Sequence, residues 1–424
     1  MSLRDQVKSL ALHIPILKRV HAELGALRSD CELLQSENAA VQSENERLAG
    51  EVTGLHGLLS QRDAELRRLK ANGSTAAGQV NGNAALSGAR PQRLGTDELK
   101  RYFSAPLADL GSTDLKYAGV LCPEPELNLP KIGVTETLLS GAEDYFKKFE
   151  NFSYIFGLLK GELDALGVEP RGIAIDFGSG FGNTVIPLLE NYRDLAIVAT
   201  DISPDLLAIL LREVRKRGIG DRCAAVALDA QRDYFAEGFA DIVFGGAVLH
   251  HLAEPDALLK TVLRILKPGG HAIFFEPFEN GHSVLRLAYE EILQRAKAEQ
   301  AAGPGFDFLA GLVKDIAVRS HRRAYPGFSE AWFNLDDKWL FTHSYFDRMR
   351  HLTGASELRI RPFNNRLGPF TKHTRNCLVN YAGLTVPDSL PDWAWEVLRR
   401  FDEDAFSADM RNDLVIEGAV VITK

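Results

Sequence analysis

The chain contains 424 residues, of which 45% are hydrophobic and 25% charged, so its composition predicts an ordinary globular protein with material for two or three domains. Its net charge of −8 argues against a nucleic-acid-binding protein, because such proteins usually present a basic surface. Four cysteines lie far apart without a CxxC pair, which argues against a zinc site or a disulfide framework and predicts a reducing, cytoplasmic location. No apolar run is long enough for a transmembrane helix, and charges interrupt the first apolar stretch, which argues against a signal peptide.

Residues 1–70 predict an amphipathic start followed by a coiled coil. From residue 17, more than seven heptads stay in register, and their d positions are mostly leucine or valine. The a positions are Leu17, Leu24, Cys31, Asn38, Asn45, Val52, Leu59 and Leu66. Asparagines at a positions pair across a parallel two-stranded seam and fix its register. We therefore predict a parallel homodimer, with a trimer as the alternative.

A short apolar stripe leads into the coil and has basic residues beside it: Leu3, Val7, Leu10, Ile14 and Leu17, with Lys8, Lys18 and Arg19. Such a stripe suits peripheral contact with the inner membrane, contact with a partner, or simply the first turns of the coil. The sequence leaves these three readings open.

A flexible linker is predicted over residues 71–95, which are rich in Gly, Ala, Asn and Ser and lack apolar periodicity. Residues 96–170 follow as a helical lead-in or cap, with Thr96 at the start of a capped helix and a dense run of aromatic residues at 146–159.

Short apolar strands alternate with amphipathic helices over residues 173–276. This alternation predicts a parallel sheet covered by helices on both faces, with ligands at the carboxyl ends of the strands. Asp176, Asp201, Asp229 and Gly245 all fall at that edge.

The stretch IAIDFGSGFGN, residues 173–183, joins the first of these strands to a helix. Glycine stands at every second position, Gly178, Gly180 and Gly182, after the acidic Asp176. Glycines permit positive φ and let a ligand approach the backbone at a helix N-terminus. A dinucleotide-binding G-x-G-x-x-G pattern would require glycine at position 183, which is asparagine. The pattern instead resembles motif I of the class I S-adenosylmethionine (SAM)-dependent methyltransferases.

Four further segments resemble motifs of this family, in the family's order. They are LAIVATD ending at Asp201, AAVALDA ending at Asp229–Ala230, ADIVFGGAVLHHL over 240–252, and LKPGG over 266–270. Their agreement favours this family over another nucleotide-binding Rossmann domain.

The resemblance implies an α/β fold: a Rossmann-like, mostly parallel seven-stranded sheet within residues 171–424, with SAM as the cofactor. It also implies that Asp201 accepts the ribose hydroxyls, that Asp229 faces the adenine amino group, and that the Ala230 N–H faces the ring. The residues expected to bind SAM are Asp176, Gly178, Ser179, Gly180, Gly182, Asp201, Ile202, Asp229, Ala230 and Gly245.

The last two strands of the family's sheet are expected at 357–363 and 418–423, the final one antiparallel. Insertions at about 277–340 and 364–414 exceed the minimal core and are expected to build an acceptor lid. Within the first insertion, Tyr325, Trp332, Asn334 and Trp339 suit stacking on a sugar or another ring, and packing within the lid is the alternative.

Methyl transfer requires a nucleophile in line with the C–S bond and often a base that takes one proton. His250 and His251, after the fourth strand, and Glu276, at the end of the fifth, are the catalytic candidates; one histidine of the pair can be structural. No metal is predicted, because the adjacent Asp336 and Asp337 are also typical of a solvated turn.

The order of coil, linker and methyltransferase resembles that of bacterial proteins of surface-polysaccharide synthesis. The leading hypothesis is O-methylation of a hydroxyl on a glycan or another small molecule. N- or C-methylation of a metabolite or protein, and a coiled-coil scaffold with an inactive SAM-binding fold, are the alternatives.

Overall fold

The computed structural model describes residues 94–127, 141–150, 152–321, 332, 335–363 and 368–424. The predicted coiled coil, its amphipathic start and nearly all of the linker lie outside the described residues. Every described residue belongs to one compact unit, Gly88–Lys424. Among the described helices, none combines the length and the apolar character needed to cross a membrane.

The strands are β1 (Leu107–Asp109), β2 (Val120–Pro123), β3 (Gly172–Phe177), β4 (Leu195–Asp201), β5 (Cys223–Ala227), β6 (Ala240–Gly246), β7 (Leu266–Pro277), β8 (Glu357–Pro362) and β9 (Glu417–Thr423). The α-helices of the described residues are α1 (Thr96–Leu99), α2 (Ala142–Phe149), α3 (Phe152–Leu166), α4 (Val185–Asn191), α5 (Pro204–Lys216), α6 (Pro255–Ile265), α7 (Glu279–Ala298), α8 (Pro304–His321), α9 (His343–Thr353), α10 (Pro369–Asn380), α11 (Val386–Ser389), α12 (Asp392–Glu403) and α13 (Ala408–Asp413).

One sheet carries all of these strands, in the spatial order β1-β2-β5-β4-β3-β6-β7-β9-β8. Strands β5, β4, β3, β6 and β7 are parallel, and β9 runs antiparallel to both β7 and β8. The mostly parallel Rossmann-like sheet and its antiparallel last strand are therefore confirmed, as are the positions predicted for β8 and β9.

The seven strands predicted within residues 171–424 are present as β3–β9, but the sheet has nine strands, because the lead-in that was predicted to be helical also contributes β1 and β2. Two short strands of the lead-in extend the sheet: β2 pairs parallel with β5, and β1 pairs antiparallel with β2. Each has only three or four residues, one of them ending in proline, so neither shows a recognisable period of two. Their pairing with residues about a hundred positions later is a tertiary contact that local patterns do not encode.

Apolar side chains fill both faces of the sheet, as expected for parallel strands buried on both sides. Strand β3 shows the reason: residues 173–177 are all buried, so the strand reads as an unbroken apolar run apart from Asp176. Helices α7, α8, α10 and α12 pack around a third apolar core, centred on Leu285, Tyr289, Leu309 and Leu398. The two predicted insertions thus form one helical layer. The helices of the second insertion connect β8 to β9 in the sequence.

Candidate active site

The glycine loop between β3 and α4 is fixed to the neighbouring strand by Ser179. Its hydroxyl donates to the carbonyl of Asp176 (2.8 Å) and accepts the backbone N–H of Thr200 in β4 (3.1 Å). Gly182 has φ of 102°, and a Cβ there would lie 2.5 Å from a leucine of α5, so packing requires glycine. Gly180 has φ of 52°, but its Cβ would meet no atom closer than 3.9 Å. A ligand can therefore approach the backbone at Gly180.

The carboxylate of Asp176 ends inside the protein. Its residue is 1% exposed, and both oxygens are buried without a hydrogen-bond partner among the described residues. Burial raises the pKa of Asp176 to about 7, and the nearby Ser179 hydroxyl only partly offsets this rise. Because a buried carboxylate is costly unless a donor or a cation meets it, these oxygens fit the ammonium group of SAM.

Asp201, at the end of β4, is held by the glycine loop and by the turn that follows β4. One carboxylate oxygen accepts the N–H of Gly180 and the other that of Ser203, both at 2.8 Å. Burial raises the pKa of Asp201, and the backbone amides of Ser203, Gly180 and Ile202 oppose that rise. Each oxygen keeps a second lone pair, which suits the two ribose hydroxyls expected there.

Asp229 and Ala230 follow β5 at the same edge and are partly exposed. The Asp229 carboxylate accepts the N–H of Gln231 (2.9 Å), and the Asp229 N–H donates to the carboxylate of Glu126 (2.9 Å). The structure thus brings Asp229 to the same sheet edge as Asp176 and Asp201.

Gly245 lies inside β6 and is needed for packing. A Cβ at this position would stand 2.4 Å from the ring of Phe274 in the adjacent strand. Its contact with SAM stays a prediction, because close strand packing already accounts for glycine here.

Helix α2, part of the predicted lead-in or cap, covers the glycine loop. Phe181 of the loop packs edge-on against Tyr145 and Phe146 of α2, with ring centroids 5.8 and 5.1 Å apart. The side-chain amide of Asn183 donates to the carbonyl of Phe149 (3.0 Å). These aromatic residues therefore form a small core over the loop.

Glu276, near the end of β7, organises the turn that follows β6. It is 1% exposed, and its oxygens accept the N–H groups of Val248 (3.3 Å), Leu249 (2.9 Å) and His250 (3.1 Å). Ala247, just before this turn, has φ of 66°, a left-handed conformation that residues other than glycine seldom adopt. The unusual backbone turns three successive N–H groups toward one carboxylate.

His250 is held by the same carboxylate. Its Nδ1 lies 2.6 Å from Glu276 Oε2, so we assign the ring proton to Nδ1, which leaves Nε2 as an acceptor 3.6 Å from Asp337 Oδ1. Although burial opposes protonation, Glu276 and Asp337 together raise the pKa of His250 above its ordinary value. A buried carboxylate thus orients a histidine whose other nitrogen is directed toward Asp337.

The neighbouring His251 is more open, with 45% of its side chain exposed. Its Nδ1 lies 3.0 Å from the carbonyl of Asp336 and 3.4 Å from Asp337 Oδ1. Burial and the adjacent His250 lower the pKa of His251 to about 4, although the exposed fraction of its ring lets water moderate that effect. The two histidines therefore have different surroundings: Glu276 orients His250, whereas His251 contacts the backbone of Asp336.

Ligand atoms of His250, His251 and Asp337 lie within 4.8 Å of one another, a spacing that a metal ion could bridge. The Asp337 charge is already compensated: Arg319 approaches it to 3.9 Å, and, although burial opposes ionisation, His250 and Arg319 lower the pKa of Asp337. We therefore interpret this group as a network of charges and hydrogen bonds and assign no metal to it.

Residues 335–340 of the first insertion lie directly on this turn. The backbone N–H groups of Lys338 (2.7 Å) and Trp339 (3.1 Å) donate to the carbonyl of His250, and the Trp339 indole donates to the carbonyl of Leu252 (2.7 Å). Trp332 is fully buried, and its indole donates to the carbonyl of Lys338 (2.7 Å). Both tryptophans thus pack the lid, which was the alternative to ring stacking; Tyr325 and Asn334 lie outside the described residues.

Comparisons with known proteins agree with this geometry. Residues 175–272 match the family model described as "Methyltransferase domain". This part of the chain is a methyltransferase domain. The match agrees with the class I, SAM-dependent type that the motifs predict.

Among curated proteins, the chain is 26% identical over 129 residues to the ubiquinone/menaquinone biosynthesis C-methyltransferase UbiE of Shewanella oneidensis, covering 30% of this chain and 51% of that one. The chain thus spans about half the length of the curated relatives it matches.

The solved structures that are similar to the chain include two methyltransferases. Phosphoethanolamine N-methyltransferase 2 of Haemonchus contortus, in complex with SAM, gives a TM-score of 0.37 at 15% identity, over 68% of this chain and 60% of that one. Geranyl diphosphate C-methyltransferase of Streptomyces coelicolor gives 0.38 at 11% identity, over 64% and 80%.

Sequence reasoning missed three groups at the site: Glu126, Arg319 and the pairing of His250 with Glu276. Arg319 is 5% exposed on α8 and donates to the carbonyl of Trp339 (2.9 Å), and no local pattern marks it. The pairing joins residues 26 positions apart, and only the adjacency of β6 and β7 brings them together.

Proposed function

We propose that the chain is a SAM-dependent methyltransferase that O-methylates a hydroxyl of a glycan or another hydroxylated small molecule, with His250 taking the proton. The observation that carries this proposal is the buried pair of His250 and Glu276 at the carboxyl edge of β6 and β7. A hydroxyl needs to lose a proton as it attacks, and a histidine oriented by a carboxylate is suited to accept it.

In the proposed mechanism, Asp201 would hold the ribose of SAM and Asp176 its amino-acid end. The bound cofactor would supply an activated methyl group, and its C–S bond would break to leave S-adenosylhomocysteine as the acceptor oxygen takes that group. Helix α2 and residues 335–340 exclude water from the edge, and the acceptor hydroxyl donates its proton to His250 Nε2. Glu276, whose oxygens already accept three backbone N–H groups and the His250 ring N–H, orients the base and does not itself take the proton.

The remaining parts of the proposal concern the whole chain. We infer that the coil holds two catalytic units together in the cytoplasm. The similarity to a C-methyltransferase favours a second candidate, transfer to an acidic carbon, for which the same base would serve.

The proposal is tested by incubating the full chain with methyl-labelled SAM and fractionated extracts, including glycans. Label should enter a small-molecule or glycan fraction, and the carbon chemical shift of the transferred methyl distinguishes O-methyl from C- and N-methyl products. Incorporation only into protein, or a C-methyl or N-methyl product, would contradict O-methylation. Dialysis against a chelator should leave the rate unchanged; a loss that a divalent cation restores would contradict the metal-free assignment.

The role of His250 is tested separately. His250→Ala should lower kcat by about 10²–10⁴-fold while leaving the SAM dissociation constant nearly unchanged, since a base acts on the acceptor. His351→Ala, at an exposed histidine of α9, is the matched control and should keep full activity. An unchanged kcat in His250→Ala would exclude this residue as the base.

A further inference from the structure

Strands β1 and β2 extend the sheet beyond the edge where the predicted seven-stranded core ends. Because β2 runs parallel to β5, its carboxyl end reaches the same edge as Asp201 and Asp229. The chain leaves β2 through a short 3-10 helix, Glu124–Glu126, which lies beside the turn after β5.

Glu126 projects from this 3-10 helix into the protein. It is 1% exposed, and its Oε2 accepts the backbone N–H of Asp229 at 2.9 Å. Burying a carboxylate costs free energy that its partners must offset, and besides the Asp229 N–H Glu126 meets the Tyr234 hydroxyl and the charge of Arg232.

The hydrogen bond acts on the residue that the resemblance places opposite adenine. The Asp229 carboxylate accepts the backbone and side-chain N–H groups of Gln231 (2.9 and 3.2 Å), and its carbonyl accepts the N–H of Arg232 (3.0 Å). Its own N–H is a point at which a residue outside the turn holds it. Glu126 holds that N–H from outside the turn, next to the Asp229 carboxylate that is expected to face the exocyclic amine, which only donates hydrogen bonds.

We propose that Glu126 is a positioning residue of the nucleobase pocket: it fixes the Asp229 turn and makes the site selective for a purine with a 6-amino group. This inference rests on the proposed placement of SAM along the sheet edge. It makes β1 and β2 part of the cofactor site rather than a mere extension of the sheet.

The test compares two ligands, S-adenosylhomocysteine and S-inosylhomocysteine, which carries an oxo group in place of the amine. Calorimetry on the full-length wild type should show much weaker binding of the inosyl ligand. In Glu126→Ala the ratio of the two dissociation constants should shrink about tenfold, because the adenosyl ligand loses an oriented partner. The ratio is insensitive to any fraction of unfolded protein, which affects both ligands equally.

Two variants sharpen the result. Glu126→Gln should keep the wild-type ratio within about twofold, because an amide oxygen can still accept the Asp229 N–H. Glu124→Ala, at an exposed residue of the same 3-10 helix, should change neither constant. An unchanged ratio in Glu126→Ala, or no rescue in Glu126→Gln, would overturn the inference. Failure of the wild type to bind S-adenosylhomocysteine would instead contradict the cofactor placement itself.

Discussion

Four acids, Asp176, Asp201, Asp229 and Glu276, stand at the ends of four strands, yet each has a different set of donors. Asp201, Asp229 and Glu276 accept backbone N–H groups, from the glycine loop, from the turn after β5 and from the turn after β6, respectively. Asp176 has no such partner among the described residues and is the one whose pKa burial raises to about 7. At the residue scale, backbone N–H groups orient three of these acids, whereas Asp176 is suited to bind a positively charged ligand.

SAM affinity should depend on the ionisation of Asp176. The ammonium of SAM needs the ionised carboxylate. The affinity for SAM should therefore fall as the pH decreases through about 7, the pKa of Asp176 in the folded protein. Calorimetry near pH 7 in buffers of different ionisation enthalpy should detect proton release on binding, and Asp176→Asn should abolish it. Binding without proton release in the wild type would contradict this role.

The same shift predicts how the stability of the ligand-free protein depends on pH. Because the folded pKa of Asp176 lies above its unfolded value, the protonated form favours the folded state at low pH, and this contribution is lost as the pH rises through about 7. Urea unfolding across this pH range should show that the free energy of unfolding decreases with rising pH more steeply in the wild type than in Asp176→Asn. The same pH dependence in both proteins would contradict this prediction.

Gly180→Val should abolish measurable SAM binding, since φ of 52° is strained for valine and its side chain would fill the open space over the loop. Gly218→Val is the matched control: φ there is 70° with nothing within 4 Å, so similar strain arises away from the site. Calorimetry should find normal SAM affinity in the control. Retained affinity in Gly180→Val would show that the ligand does not cross this loop.

At the element scale, the helical layer built by the two insertions depends on buried polar links as well as on its apolar core. Asp402 of α12 is 2% exposed, and its carboxylate accepts the N–H of Phe370 (2.7 Å) and both the N–H and the hydroxyl of Thr371 (3.0 and 2.6 Å). It thus caps the N-terminus of α10 from another helix.

Asp402→Ala should destabilise the protein by about 2–4 kcal/mol, because three donors lose a charged acceptor in a buried place. Its exposed neighbour provides the control, Glu403→Ala, which should stay within about 0.5 kcal/mol of wild type. Chemical unfolding measures both. An equal effect of the two substitutions would mean that the cap does not stabilise the layer.

At the scale of the whole molecule, the prediction of a coiled-coil dimer concerns residues outside the described ones. Deleting residues 1–70 should give monomers that still bind SAM, as sedimentation and calorimetry would show, because the sheet edge lies wholly in residues 94–424. In the full chain, Leu34→Glu at a d position should dissociate the dimer, whereas Ser36→Glu at an outer heptad position should not. A truncated chain that stays oligomeric would show that the catalytic units associate by themselves.

The sequence by itself determined the order of strands and helices over residues 173–276, the glycine turn, and the acids at the strand ends. These features are local, because glycine spacing, apolar runs and an acid at the end of a strand are recognised from residues that are close together in the sequence. For the same reason, β8 and β9 were placed correctly.

Only the tertiary structure decided which side chains meet at the site. The joining of β2 to β5, the approach of Glu126 to Asp229, the pairing of His250 with Glu276, and the position of Asp337 over that pair each unite residues far apart in the chain. Such contacts depend on strand order and helix packing, which many different local patterns share. The physical reason is that burial and charge pairing act through space, whereas periodicity records only the face that each element turns inward.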